Sequence, residues 1–364
     1  MSVVSVLVVA GIPFARTGRE ELAAAARERL ERDDEDGALA LLLTDRDDWA
    51  TGPGPTEEDA RSAMAAPTLR GAMAALRFGP VADYFAYRWS DPTYLSGLAL
   101  LDAHAGECET VLELACGIGH YLRELGARGV AATGVDVVYA KCWLAKRFVA
   151  PDAQLVCADA ASALPNGPFD LAFCHDALHY LPEPARVCAE LARVAPRVVV
   201  GHAHNALVDN LSAGAPLDPA GYAALLPGAR LFDDAELTAA ALGTVSAHER
   251  QTGRRPWALT AARAPERSAE ELAGAAAVAV VGGSTRPAAT PFTLPRRGAA
   301  LVRNPLLGSD GRVRWPSERY ATEYGDASPH LAGAHPGVPE RATATADTDA
   351  LARARLLLDL PPAW

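Results

Sequence analysis

The residues best suited to chemistry lie in Val111-Leu112-Glu113-Leu114-Ala115-Cys116-Gly117-Ile118-Gly119-His120, where an apolar run meets a glycine turn that opens directly into a helix. Glycines let the backbone approach a ligand closely, and the free N–H groups of a helix start favour an anionic group there. Taken alone, such a turn is common to every nucleotide-binding α/β fold. A register of acids sharpens it. Asp136 ends the next strand in Gly134-Val135-Asp136, 17 residues past Gly119, where a carboxylate can accept both hydroxyls of a ribose. Asp159 follows a third strand in Cys157-Ala158-Asp159-Ala160 and could accept from an adenine amino group. Phe169 to Asp176 (FDLAFCHD) supplies a fourth strand, and in open α/β sheets ligands sit at the carboxyl ends of strands. A dinucleotide fingerprint needs a third glycine where this chain has Leu122, which argues against NAD or FAD.

With these residues in this order, the chain resembles the class I S-adenosylmethionine (SAM)-dependent methyltransferases, in particular the small-molecule enzymes with a compact core. Glu113, Gly117 and Gly119 match the first motif, Asp136 the acid after it, and Asp159 the adenine motif. Phe169 to Leu181 (FDLAFCHDALHYL), followed by Pro182 to Val194, matches the fourth-strand motif and its helix. The resemblance covers residues 110–200, about a quarter of the chain. It implies that the glycine turn cradles the methionine part of SAM, with Glu113 helping to orient it. Asp136 would bind the ribose, Asp159 and the Ala160 backbone the adenine, and Cys174 and His175 would flank the methionine part and the transferring methyl. The chain departs from the pattern at Ala115, where many members carry glycine, and at His175, where a small polar residue is usual. The turn before the fifth strand is also shortened, to Ala195-Pro196-Arg197.

The function so implied is methyl transfer to a small-molecule acceptor by in-line displacement, in a crevice at the C-terminal strand ends. A SAM-binding sensor or scaffold without turnover is the alternative, because these motifs describe only the cofactor half of a site. Methyl transfer requires an aligned nucleophile, exclusion of water and often a base. Histidine titrates near neutrality, so His175, His179, His202 and His204 are candidates, and His175, His202 and His204 are the residues expected to serve catalysis. The run Gly201-His202-Ala203-His204-Asn205 is read as lying just past the fifth strand. The plainer reading is that these are loop histidines bonded to water or backbone, while His179, beside Tyr180, falls at a helix start that the resembled family often fills with a histidine of no catalytic duty. His202-x-His204 provides two metal ligands with Asp209 as the nearby acid, and no metal is expected on that count.

Positioning these residues calls for alternating elements. Thr110–Leu114, Val130–Val135, Gln154–Cys157, Phe169–Cys174 and Arg197–Val200 read as strands. Between them, His120–Ala127, Tyr139–Phe148 and Pro184–Val194 read as helices. The predicted class is α/β: a Rossmann-like, doubly wound, mostly parallel sheet with helices on both faces, plus an N-terminal segment and a C-terminal extension. Residues 1–89 are the N-terminal segment and a candidate lid, 90–264 the methyltransferase core, and 265–364 the extension. In the N-terminal segment, Val3–Val9 is β-rich and Glu20–Glu35 helical, while Tyr84 to Tyr94 is rich in aromatics that could close over a cofactor or simply pack. Gly201–Arg230 reads as an irregular substrate cap, Asp233–Leu242 as a helix, Trp257–Ala262 and Ala277–Val281 as strands, and Thr348–Leu358 as a helix. Trp315 to Tyr320 either caps the core or makes a homodimer contact, and the sequence leaves both open.

Composition removes several classes. The 364 residues carry 34 Lys+Arg against 45 Asp+Glu, a formal charge of −11 with no basic stripe, which argues against nucleic acid as a partner. Half the residues are apolar, as in a folded protein with a sizeable core. The six cysteines form neither a disulfide framework nor paired zinc ligands, which suggests buried spacers in a reduced cytoplasmic protein. Met1 to Gly11 is apolar but lacks a basic lead and meets Pro13, Arg16 and Arg19 too soon to span a bilayer, so no membrane association is expected.

Overall fold

The computed structural model describes residues 6–47, 50, 52–160, 164–210, 214–243, 264–283, 287–288 and 291–364. Strands β1 (Leu7–Val9) and β2 (Ile12–Ala15) precede helices α1 (Glu20–Leu30), α2 (Glu35–Leu42), α3 (Glu57–Ala65), α4 (Leu69–Ala75), α5 (Val81–Tyr87) and α6 (Pro92–His104). Next come β3 (Thr110–Leu114), α7 (His120–Gly126), β4 (Ala131–Asp136), α8 (Tyr139–Leu144) and β5 (Gln154–Ala158). They are followed by β6 (Leu171–His175), α9 (Pro184–Val194), β7 (Val198–His204), α10 (Pro219–Ala224), β8 (Arg230–Asp233), α11 (Asp234–Leu242) and β9 (Ala277–Gly282). The chain finishes with β10 (Ala300–Arg303), α12 (Glu318–Tyr324), β11 (Arg341–Thr343), α13 (Asp349–Arg353) and β12 (Leu357–Leu358). Two compact units result: Met1–Ala86 with Thr110–Pro165 and Pro361–Trp364, and Tyr87–Glu109 with Asn166–Leu360.

In the first unit the strand order is β1-β2-β5-β4-β3. Strands β2, β5, β4 and β3 run parallel, and β1 is antiparallel to β2. The β-rich N-terminal run thus becomes half of a hairpin, because Ala10 and Gly11 both take positive φ (47° and 74°), the two-residue turn that suits the strand twist. Residues 7–15 are therefore part of the same sheet, β2 joining it in parallel to β5. The helix read across Glu20–Glu35 is two helices: Asp33 turns at φ 59° and Asp34 caps α2, accepting from the Gly37 N–H at 2.9 Å. Likewise α8 stops at Leu144 and the remaining turn, Ala145–Val149, is a π-helix.

In the second unit the order is β6-β7-β9-β8. Strand β7 is parallel to β6, whereas β9 runs antiparallel to both β7 and β8. The apolar run Ala277–Val281, assigned on sequence to the C-terminal extension, is thus a buried interior strand. Helix α6 is capped by Asp91, which accepts from the Tyr94 N–H at 2.7 Å. It is buried on every side and packs on α11, as a helix apolar all round should. Beyond β9, strands β11-β10-β12 form a separate antiparallel sheet around Leu301, Leu306, Leu331 and Leu357. The helix read over Thr348–Leu358 is confined to α13, since Arg355 turns at φ 58° and the chain then pairs with β10. Tyr320 packs inward on Tyr87, Trp315 and Tyr324. Trp257–Ala262 lies outside the described residues. The mostly parallel α/β architecture expected from the sequence is present, with a small antiparallel sheet added.

One buried group of the second unit makes acid stability predictable. His104, at the end of α6, is 2% exposed, and among the described residues its Nδ1 has no hydrogen-bond partner. Burial, with Arg230 and Arg197 adding repulsion, pushes its pKa down to about 3. The unfolded chain binds this proton at the ordinary histidine value, near 6.5, and the folded chain does not. Stability is therefore complete above about pH 6.5 and declines as pH falls towards 3, by about 1.4 kcal/mol per pH unit from this group. Urea unfolding at pH 7.5 and pH 5 is expected to show the loss, and His104→Gln to flatten it; an equal loss in the variant would exonerate His104.

Candidate functional site

In the first unit, buried β3 delivers Glu113 and then turns sharply, with positive φ at Ala115 (56°), Gly117 (54°) and Gly119 (85°). Ala115 adopts the left-handed region in the position where the resembled family often carries glycine. At Gly119 a Cβ would lie 3.1 Å from the Ala145 Cβ, so the turn sits tightly against the segment after α8. At Gly117 it would lie 3.1 Å from Phe85 Cε1. Phe85 in turn stacks on His120, whose Nε2 is 2.9 Å from the Phe85 carbonyl oxygen. Of the aromatic segment, then, Phe85 covers the glycine turn, a residue the sequence did not single out.

Asp136, at the end of β4, ties this turn together. Its Oδ2 accepts from the Gly117 N–H and its Oδ1 from the Val138 N–H, both at 2.9 Å. Each carboxylate oxygen has a second lone pair, so hydroxyls can still be accepted. Lys141 Nζ lies 3.7 Å from Asp136 Oδ1 and 3.3 Å from Asp47 Oδ2. Burial alone would lower the Lys141 pKa, but Asp136 and Asp47 outweigh it and hold the ammonium charged. Asp159 follows β5, whose Cys157 is in register with Asp136. Its Oδ2 accepts from the Thr17 N–H at 2.6 Å and the Thr17 hydroxyl at 2.9 Å. Ala160 beside it is half-buried. Glu113, Gly117, Gly119, Asp136, Asp159 and Ala160 therefore belong to one unit, at the carboxyl ends of neighbouring strands. The backbone turn that a side chain would fill, and the acid beside it, fit an adenosyl ligand.

In the second unit β6 carries Cys174 and His175. Cys174 is fully buried, as are its five fellow cysteines nearly so, all as free thiols. A Cβ on Gly201 would come within 2.4 Å of His175 Cδ2, so the glycine makes room for this ring. His175 Nε2 is 3.3 Å from Ser96 Oγ. Burial, then Arg88, drives the His175 pKa down to about 3 and keeps the imidazole neutral.

Around it the polar groups converge. Asp176, at φ 55°, pairs through Oδ2 with Arg88 Nη1 at 3.0 Å. The sequence reading ended the fifth strand at Val200, but β7 continues through His204. Its pairing with β9 slips between Val200 and Ala203, where His202 takes φ 47°, so the two histidines are strand residues at a bulge and not a loop. His202 Nδ1 donates to Asp234 Oδ2 at 2.8 Å, and its Nε2 is 4.0 Å from Asp176 Oδ1. Burial would lower its pKa, but the Asp234 and Asp176 carboxylates prevail and raise it to about 9. His204 is pushed down to about 4 by burial and then by His202. Its ring lies against that of His179, with centroids 3.7 Å apart. Asp234, at the start of α11, and Arg88 were not legible as site residues, since each joins the cluster only through tertiary packing. Asp209 does not enter the candidate cluster of Asp176, His202 and His204.

Residues 112–197 match the family model described as a methyltransferase domain. No curated protein matches the chain. Among solved structures, a SAM-dependent methyltransferase from Thiobacillus denitrificans in complex with S-adenosyl-L-homocysteine is 25% identical, over 32% of this chain and 52% of its own, with TM-score 0.28. An S-adenosylmethionine-dependent methyltransferase from Mesorhizobium loti is 22% identical, over 32% and 55%, with TM-score 0.28. DesVI from Streptomyces venezuelae is 21% identical, over 32% and 53%, with TM-score 0.28. The chain thus spans about half the length of these proteins. The matched stretch holds the whole glycine turn, its helix and Asp136, so residues 112–197 of this chain match a methyltransferase domain.

Proposed function

We propose that the whole chain is an enzyme that methylates a small molecule at the expense of SAM, in the cytoplasm. The observation that carries this reading is the Asp136 carboxylate bridging the Gly117 and Val138 N–H groups at the mouth of the glycine turn. Bound SAM supplies a methyl made electrophilic by its sulfonium. Gly117 and Gly119 would admit its methionine part with Glu113 orienting it, Asp136 would hold the ribose, and Asp159 with the Ala160 N–H the adenine. Phe85 would keep water from the turn. Cys174, deep in β6, would contribute packing.

A small acceptor is favoured by the formal charge of −11, which repels nucleic acid. Six free buried thiols favour a reducing compartment, and among the described residues no helix is long and apolar enough to cross a membrane. His175, His202 and His204 are our candidates for the groups that activate the acceptor. Residues 201–230 remain our choice for the segment that selects the acceptor. Incubation with methyl-labelled SAM and a panel of phenols, amines, thiols and carboxylic acids is expected to release S-adenosylhomocysteine with at least one class. Tight SAM binding with no release across the panel would favour a sensor or scaffold instead.

A further inference from the structure

We infer that Asp176, His202 and His204 form a site for a divalent transition-metal ion, zinc or a first-row neighbour. One donor atom from each lies within 4.8 Å of the other two. An ion with bonds of about 2.0–2.1 Å in tetrahedral geometry needs donor separations near ~3.4 Å, so rotations moving each atom by up to ~0.8 Å close the set.

The surroundings orient each donor. The Nδ1–H of His202 is fixed on Asp234, so Nε2 becomes the ligating nitrogen once the ion displaces its proton; a carboxylate behind a metal-bound histidine is a recurrent arrangement. Arg88 holds Oδ2 of Asp176, leaving Oδ1 as the oxygen nearest His202 Nε2. The bulge at Val200–Ala203 brings His202 and His204 to 5.3 Å between ring centroids.

An independent observation points to a ligand at the same place. His179 is 2% exposed and stacks on His204, and among the described residues neither of its ring nitrogens has a hydrogen-bond partner. A buried imidazole in that state is costly unless something occupies the space beside it. A metal ion, or water bound to it, would supply that partner. Two imidazoles and one carboxylate select zinc, cobalt, nickel or iron(II) over magnesium and calcium, which require oxygen donors. Sequence spacing alone offered two ligands; the third, Asp176, directly follows the neighbouring strand β6.

Three protein ligands leave a coordination position open. That position would take an ionised oxygen or sulfur ligand, and the ion does not depend on the methyl-transfer reading.

The test uses the full chain, stripped with EDTA and titrated with Co²⁺ while visible d–d absorption is followed, then with Zn²⁺ to displace it. One equivalent is expected to bind. His204→Ala and His202→Gln are expected to weaken binding at least ~100-fold, and Asp234→Asn about 10- to 100-fold. Zn²⁺ should raise the unfolding midpoint of the wild type and not of the ligand variants. S-adenosylhomocysteine affinity, measured on the same samples, should be unchanged, which separates a lost ligand from a lost fold. Substoichiometric binding by the wild type, or equal binding by folded variants, overturns the site. Stoichiometric ion binding without release of S-adenosylhomocysteine supports the site and overturns the methyl-transfer reading.

Discussion

Asp136→Ala is expected to weaken SAM binding by about 2–4 kcal/mol, roughly thirty-fold to several hundred-fold, through loss of charge-assisted hydrogen bonds. Two losses combine. The ribose hydroxyls would lose their acceptor, and the Gly117 and Val138 N–H groups would lose theirs, so the turn that receives the methionine part is no longer held at 2.9 Å. Lys141 would also lose one of its two carboxylates, keeping Asp47. Asp136→Asn retains one acceptor oxygen and should fall between the variant and the wild type. Calorimetric titration with SAM, S-adenosylhomocysteine and NADH measures this directly. NADH should not bind, given Leu122 at the third glycine position of a dinucleotide fingerprint. An unchanged SAM affinity in a folded Asp136→Ala protein would remove this residue from the site.

The second large effect concerns stability. Asp176→Ala takes one partner from an ion pair whose side chains are 5% and 13% exposed, leaving Arg88 buried without that countercharge. Breaking such a pair typically costs about 3–5 kcal/mol, whereas replacing both partners with apolar groups can be nearly neutral. Urea unfolding of Asp176→Ala, Arg88→Met and the double variant is expected to show strong coupling, with the double variant more stable than Asp176→Ala. Asp176 sits at φ 55°, which alanine tolerates poorly, so Asp176→Asn serves as the control. Asparagine accepts that backbone and isolates the charge. A loss below about 1 kcal/mol for Asp176→Ala would mean that water screens the pair as it does a surface ion pair.

The positions of the two sets of residues explain which were readable. The proposed cofactor half is written in short-range chemistry. The glycines answer to a backbone turn, and Asp136 to a strand end that alternation of apolar residues already marks. Even the departure at Ala115 is absorbed locally, by a positive φ. Element boundaries failed where one residue reverses the chain: Asp33 before α2, Arg355 before β12, and Ala10-Gly11 in the N-terminal hairpin.

From the sequence alone came the α/β class, the methyltransferase domain, the glycine turn and the acid that secures it, because each follows from residues within one strand, turn and helix. Tertiary structure alone decided the histidine cluster. His202 meets Asp234 from 32 positions away, and Asp176 meets Arg88 across 88. A strand bulge, invisible in composition or periodicity, turns His202 and His204 towards them. Local backbone preference sets a turn, but long-range strand pairing determines which side chains share a buried space, and with them the charge each one carries.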